Sequence, residues 1–359
     1  MADTQPEGEE RAEMSRRAVI GGGLAVGGVA LGAAVATASP AVAVPGGGAV
    51  GLRPGEETLP TGRQYEIERH GTRAVVTEVG ATLRVFEVDG RSYLDTFGPE
   101  DLVDAARGQV LIPFPNRVAD GRYMWEGEEQ QLPINEVARN NAIHGLIRWA
   151  NWDVRHLARH TIVLGLVLHP HEGYPFILDL ELTYVVERGR LQVQQRARNL
   201  GTTLAPYGVG FHPYLTVGTP TIDSNVLRLP AASYFLTDDR LIPTEKVSVE
   251  GTPFDFRAPR PIGDTQMDTG FTDILRDRDG RAKITLTPPD GPRLALFVGP
   301  GYEFLQVFTG DPLPEDRRRT GLAVEPYSCA ANAFNNGMGL IRLEPGRRTT
   351  RAWALEVED

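Results

Sequence analysis

The sequence predicts an all-β protein, a large single-domain antiparallel β-sandwich. Three observations predict it. First, Leu178–Tyr184 is apolar at even positions and polar between them, and Leu191–Ala197 follows the same period on odd positions. A period of two means strands with one buried and one wet face, the pattern of antiparallel sheets. Second, the chain of 359 residues carries 40 glycines and 27 prolines, a turn-rich composition. Third, residues 62–359 show no repeat of 20 to 50 residues and no break in composition, which argues for one domain despite the length.

Taken in order, the chain opens on a segment that does not belong to this fold. An acidic leader precedes Ser15, Arg16 and Arg17. A mildly apolar, Gly/Ala-rich run of 20 residues follows from Val19 to Ala38, and Ala41-Val42-Ala43 reads as a cleavage site. This resembles a twin-arginine signal peptide over residues 1–43. It implies an exported protein, extracellular or in the cell envelope, that touches the membrane only if the signal is not cleaved. Residues 44–61 read as a flexible Gly/Pro-rich linker.

Residues 62–359 then read as strand after strand. Tyr65–Arg69 alternates, His70-Gly71-Thr72 reads as a turn, and Arg73–Val79 and Ala81–Val88 follow, the latter closed by the hairpin dipeptide Asp89-Gly90. Pro99–Arg107 is the best candidate for a short helical turn. Thr161–Leu168 and the two alternating runs come next, joined by a hairpin at Glu187–Arg190. Lys283–Thr287, Arg293–Val298, Tyr302–Thr309 and Thr350–Val357 continue the pattern.

Composition narrows the function. The net charge of −10 argues against nucleic acid as a partner. The single cysteine, Cys329, excludes an intrachain disulfide. No Cys/His cluster suggests a metal, no Gly-x-Ser-x-Gly elbow is present, and His169-Pro-His171 reads as a loop. No cofactor is expected, and oligomeric state is not legible.

Polar residues stand out in six places. Glu325 is the one charged side chain between Arg319 and Arg342, set between Val324 and Pro326. Such a carboxylate is open to desolvation and a raised pKa, although the setting alone equally describes a strand end in water. His212 lies between Phe211 and Pro213, just after Gly208 and Gly210, where a histidine can exchange a proton near neutral pH. Asn116 and Arg117 follow Pro113 and Pro115, which stiffen the backbone. His144 precedes Gly145, with Trp149 and Trp152 as a possible aromatic wall. Asp273 in Phe271–Ile274 and Gln306 in Phe304–Phe308 complete the set. Singly each fits a surface turn or a satisfied core residue. Jointly they supply acid–base groups and the many hydrogen-bond partners that a hydroxylated ligand needs.

The segments Pro-Phe-Pro-Asn116-Arg117, Asn-Ala-Ile-His144-Gly, Gly-Phe-His212-Pro-Tyr, Leu-Gln306-Val-Phe-Thr and Ala-Val-Glu325-Pro-Tyr-Ser-Cys, in this order, resemble the aldose 1-epimerase (galactose mutarotase) family from Arg63 to the C-terminus. The resemblance implies a sandwich of the galactose mutarotase type and interconversion of the α and β anomers of a free monosaccharide, without a cofactor. It implies Glu325 as the base at the C1 hydroxyl and His212 as the acid at the ring oxygen. It also implies Asn116, Arg117, His144, Asp273 and Gln306 as substrate-binding residues. The residues themselves leave other readings open: an epimerase of phosphorylated or modified sugars using Arg317–Arg319, a glycoside hydrolase using Glu325 and Asp273, and a non-catalytic sugar binder on the same fold.

Overall fold

The computed structural model describes residues 58–359, so the expected leader and the linker up to residue 57 lie outside the described residues. Two large antiparallel sheets dominate. The first has nine strands, in the spatial order 153–158, 161–168, 178–187, 190–199, 348–358, 293–298, 282–287, 226–228 and 260–261. The second has eight, in the order 243–248, 231–237, 268–274, 304–308, 322–327, 210–211 and 110–111, with 214–215 also paired to 322–327. A four-stranded sheet, Gln64–Arg69, Thr72–Thr77, Leu83–Val88 and Arg91–Ser92, completes the N-terminal part.

The period-two runs do what they predict. Along Leu178–Glu187 the even residues are buried, and along Arg190–Asn199 the odd residues are. The two strands pair from Leu178 against Asn199 to Glu187 against Arg190, so the hairpin loop is Arg188-Gly189. Gly189 takes a left-handed φ of +68°, which glycine adopts without a Cβ penalty. Asp89-Gly90 closes Leu83–Val88 on Arg91 with both loop residues left-handed, φ of +49° and +79°. One continuous core lies between the sheets. Leu180, Leu182, Val193 and Leu355 enter it from the nine-stranded sheet, and Phe271, Leu305, Val307 and Val324 from the eight-stranded one.

One expected element is absent. Pro99–Arg107 forms turns rather than a helical turn. Ala105 and Ala106 both take left-handed backbone angles, φ of +44° and +59°, which no right-handed helix accommodates. The segment instead turns inward so that Arg107, almost fully buried, meets Asp95 and Asp104.

Candidate functional site

The site forms on the outer face of the eight-stranded sheet. Glu325 lies directly opposite Gln306, and Gln306 opposite Gly270. Cross-strand partners share a face, and so do residues two apart. Register therefore places Glu325, Tyr327, Gln306, Phe308 and Asp268 on one surface, while Val324, Pro326, Leu305 and Val307 point into the core. Every residue of Leu322–Tyr327 is buried, because the core covers one side and the site the other.

His212 is delivered to this surface by the short strand Gly210–Phe211, which pairs with Tyr327 on one side and with Val110–Leu111 on the other. Gly210 is required there: a Cβ on it would stand 2.5 Å from the Tyr327 ring. Its absence lets that ring lie against the strand and bring the phenol to Glu325. The third group of residues comes from a lid-like pair of strands, Arg117–Ala119 and Asn141–Ile143, in which Arg117 opposes Ile143. Gly145 seats this segment. Its φ is +71°, and a Cβ would fall 2.1 Å from the carbonyl oxygen of Ile112.

These groups surround a cavity of about 300 Å³, lined by Asn116, Arg117, His144, His212, Gln306 and Glu325, with Arg148, Tyr214, Asp268, Phe308 and Tyr327. A narrow side cavity of about 20 Å³ continues past Gln306 and Tyr327 between Phe235, Leu241 and Phe304. That volume holds little more than one water-sized group.

At the centre, His212 Nε2 stands 3.4 Å from Glu325 Oε2. The Tyr327 hydroxyl donates a short hydrogen bond to the same carboxylate oxygen. The His212 ring stacks on Tyr214 with centroids 5.1 Å apart, and His144 meets it edge-on at 5.4 Å. The His144 Nδ1 accepts a hydrogen bond from the Asn116 backbone N–H at 3.3 Å, and the His144 N–H returns one to the Asn116 carbonyl at 2.9 Å. An accepting Nδ1 leaves the proton of the neutral ring on Nε2, as a donor. The Arg117 guanidinium is fixed by two bonds of 2.9 Å to Glu136, and its Nη2 lies 4.0 Å from Asp268. Gln306 Nε2 donates to Asp268 Oδ1 at 2.6 Å.

Burial sets the electrostatics. Desolvation raises the Glu325 pKa well above the carboxylate range, partly opposed by the Tyr327 hydrogen bond. Desolvation also lowers His212 to about 3, opposed by a bond to its own backbone and reinforced by the positive charges of Arg148 and Arg107. His144 is lowered by burial, then by its neighbours His212, Arg148 and Arg117. In the ligand-free cavity the neutral pair is thus favoured, with the shared proton on Glu325. The reverse distribution, Glu325 ionised and His212 protonated, is the one expected from ordinary pKa values. It has the same proton count but separates charge in a dry site. For Arg117, burial acts against the charge, and Glu136 more than offsets it.

Six of the seven residues expected from sequence line this cavity: Glu325, His212, Asn116, Arg117, His144 and Gln306. The seventh, Asp273, does not. It has φ of +53° and an exposed carboxylate paired with Lys246 Nζ at 3.0 Å; Ser233 first and then Lys246 hold its pKa low. The carboxylate at the site from this strand is Asp268, five residues earlier, in the face-sharing register with Gln306. The tryptophans do not form a wall either. Trp152 is in the core and Trp149 is exposed, and the aromatic lining is Tyr214, Phe308 and Tyr327. Tyr327 follows Glu325 by two positions in one strand, and that spacing is the signal by which it is legible; Tyr214 follows His212 by two positions across Pro213, between two short strands.

A sequence profile described as aldose 1-epimerase matches residues 63–355. The uncharacterised protein YihR of Escherichia coli K12 is 35% identical over 288 residues, covering 80% of this chain and 91% of YihR. The galactose mutarotase of Rattus norvegicus is 34% identical over 163 residues, covering 44% of this chain and 46% of its own length. Among solved structures, an aldose epimerase homologue from Caenorhabditis elegans superposes with a TM-score of 0.73 at 20% identity, covering 82% of this chain and 98% of its own. A galactose 1-epimerase from Lactobacillus acidophilus superposes with a TM-score of 0.69 at 21% identity, covering 82% of this chain and 98% of its own. At these identities the two structures speak for the fold.

Proposed function

We propose that this chain, which belongs to the aldose 1-epimerase family, interconverts the α and β anomers of a free aldose by acid–base ring opening and reclosure. The observation that carries the reading is the facing of Glu325 and His212 across 3.4 Å at the centre of a cavity of sugar-like size whose remaining wall is rich in hydrogen-bonding groups.

Ring opening takes one proton from the C1 hydroxyl and gives one to the ring oxygen as the C1–O5 bond breaks. Glu325 takes the first and His212 supplies the second. The pair carries the one proton this exchange requires. When sugar oxygens enter the site they solvate both groups, and the charge-separated form with Glu325 ionised becomes accessible. The Tyr327 hydroxyl, already donating to Glu325 Oε2, stabilises the carboxylate as it forms. Rotation about C1–C2 presents the other face of the aldehyde, and the same two transfers in reverse close the ring. Arg117, Asn116, His144 Nε2–H, Gln306 and Asp268 hold the other hydroxyls, so that rotation is confined to C1.

The test is exchange NMR or polarimetry on fresh α-glucose and α-galactose. Wild type should shorten the approach to anomeric equilibrium. Glu325→Gln and His212→Asn should each lower kcat by about 10²- to 10⁴-fold, the usual worth of one positioned acid or base, with unchanged circular dichroism. A wild-type protein that leaves every common aldose at its spontaneous rate overturns the reading.

A further inference from the structure

Two cations line the central cavity, and only one is matched. Arg117 is neutralised by Glu136 and by the approach of Asp268. Arg148 lines the same cavity, half-buried, and has no carboxylate partner among the described residues. Its side chain makes one long bond of 3.4 Å, from Nη1 to Gln109 Oε1. Its pKa is lowered by burial alone, with no anion opposing. The Arg317–Arg319 run lies outside this cavity. Arg317 reaches Asp95 and the Thr96 carbonyl, and Arg319 is locked between Asp223 and Asp311. Neither lines the cavity, so the Arg317–Arg319 run does not supply the basic subsite considered from sequence.

A desolvated guanidinium without a counter-ion is an unfavourable arrangement, relieved when a ligand brings the anion. Resting on the mutarotase reading, we propose that Arg148 binds a single negative charge carried on C6 of the sugar, so that the preferred substrate is a monoanionic hexose bearing a carboxylate or sulfate there.

Position follows from the chemistry at the centre. His212 addresses the ring oxygen, and C6 hangs from C5, the ring carbon bonded to that oxygen. The C6 substituent therefore lies on the His212 side of the ring, which is the side of Arg148: Gln109, whose side chain Arg148 contacts, accepts the His212 backbone N–H at 3.0 Å, and Arg148, His144 and His212 line one cavity. A single charge is favoured over two. Among the described residues only one uncompensated cation lines the cavity, and the Asp268 carboxylate in the same cavity disfavours a second negative charge. This sets the site against a dianionic phosphate ester.

The experiment compares anomer exchange by NMR for the full chain with glucose, glucuronate, glucose 6-sulfate and glucose 6-phosphate, and with the galactose series. The expected result is a kcat/KM for the uronate or sulfate about 10- to 100-fold above that of the parent hexose, the usual advantage of a charge-assisted bond. The 6-phosphate should fall below both. Arg148→Gln should bring the monoanion-to-neutral ratio to near one through KM, and Arg148→Lys should keep part of it. A wild-type ratio at or below one, a ratio unchanged in Arg148→Gln, or a preference for the phosphate overturns the proposal. Should Arg148→Gln not fold, the wild-type and Arg148→Lys ratios decide. Calorimetric binding of glucuronate separates the two readings. Binding that depends on Arg148 without anomer exchange sinks the mutarotase and keeps the anion site, whereas exchange of neutral hexoses without anion preference does the opposite.

Discussion

The central pair shows how far a residue's chemistry depends on what surrounds it. Glu325 and His212 face each other across 3.4 Å, both buried, so the apparent pKa values belong to the pair rather than to either side chain. In the proposed mechanism the competent form of the pair has one proton in total. It is lost at low pH by a second protonation and at high pH by removal of the shared proton. His212 is depressed to about 3 and Glu325 is raised above the usual carboxylate range, both by burial. The acid limb therefore moves far below the ordinary histidine value of about 6.5. We expect kcat/KM for a neutral aldose, corrected for the spontaneous reaction, to stay level as pH falls through 6.5 and to decline only as pH nears the low value of His212. A measured limb with an apparent pKa near 6.5 would show that His212 is not desolvated in the free enzyme. Sequence reached these two residues through neighbouring apolar residues and prolines. It missed Asp268 and chose Asp273, because both are lone acids in an apolar strand. Only the register that sets Gly270 against Gln306 tells which of them turns toward the site. Arg148 was equally hidden, since an arginine's counter-ion is a fact of three dimensions.

At the scale of elements, the strand pair that brings Arg117 to the site is held by ion pairs. Arg117–Ala119 and Asn141–Ile143 are joined through Glu136, which bonds the Arg117 guanidinium twice, the Asn141 amide at 2.8 Å and Arg139 at 3.2 Å. Arg240 adds bonds to the Arg139 and Asn140 carbonyls from a different loop. Glu136 does not line the cavity, so its part is to position Arg117 and neutralise it. Glu136→Gln should raise KM for a neutral aldose by roughly 10-fold with a smaller change in kcat, since one charged hydrogen-bond pair is weakened. Glu136→Asp should recover part of the loss. Steady-state kinetics checks this, and a fall confined to kcat would mean that Arg117 acts on the transition state instead. Element types were largely legible, because period two survives in residues such as Leu178, Leu180 and Leu182. Pro99–Arg107 was not, because the left-handed turn at Ala105 and Ala106 is imposed by the burial of Arg107 rather than by any local preference of alanine.

Across the whole molecule, the two sheets divide the work. The eight-stranded sheet bears the site on its outer face, and the nine-stranded sheet braces it from behind. The contact between them passes directly beneath His212. Phe211 and His212 are consecutive, so His212 faces the cavity while Phe211 faces the core, where its ring lies 5.2 Å from Trp353 of the nine-stranded sheet and 6.5 Å from Tyr302. Trp353 is buried and pairs in register with Val193 and Val298 at the middle of its sheet. Removing it empties the space behind the strand that fixes His212, and a packed core of this kind relaxes only partly into such a void. Trp353→Ala should destabilise the fold by about 3–5 kcal/mol, read by denaturant unfolding. It should also lower kcat more than it raises KM, because the acid loses its fixed distance to Glu325 while the hydroxyl-holding residues sit elsewhere. Trp353→Phe, which refills most of the space, should restore kcat more fully than stability. If Trp353→Ala unfolds more easily yet keeps wild-type kcat under native conditions, the strand Gly210–Phe211 is held by its own sheet, and the brace from behind serves stability alone.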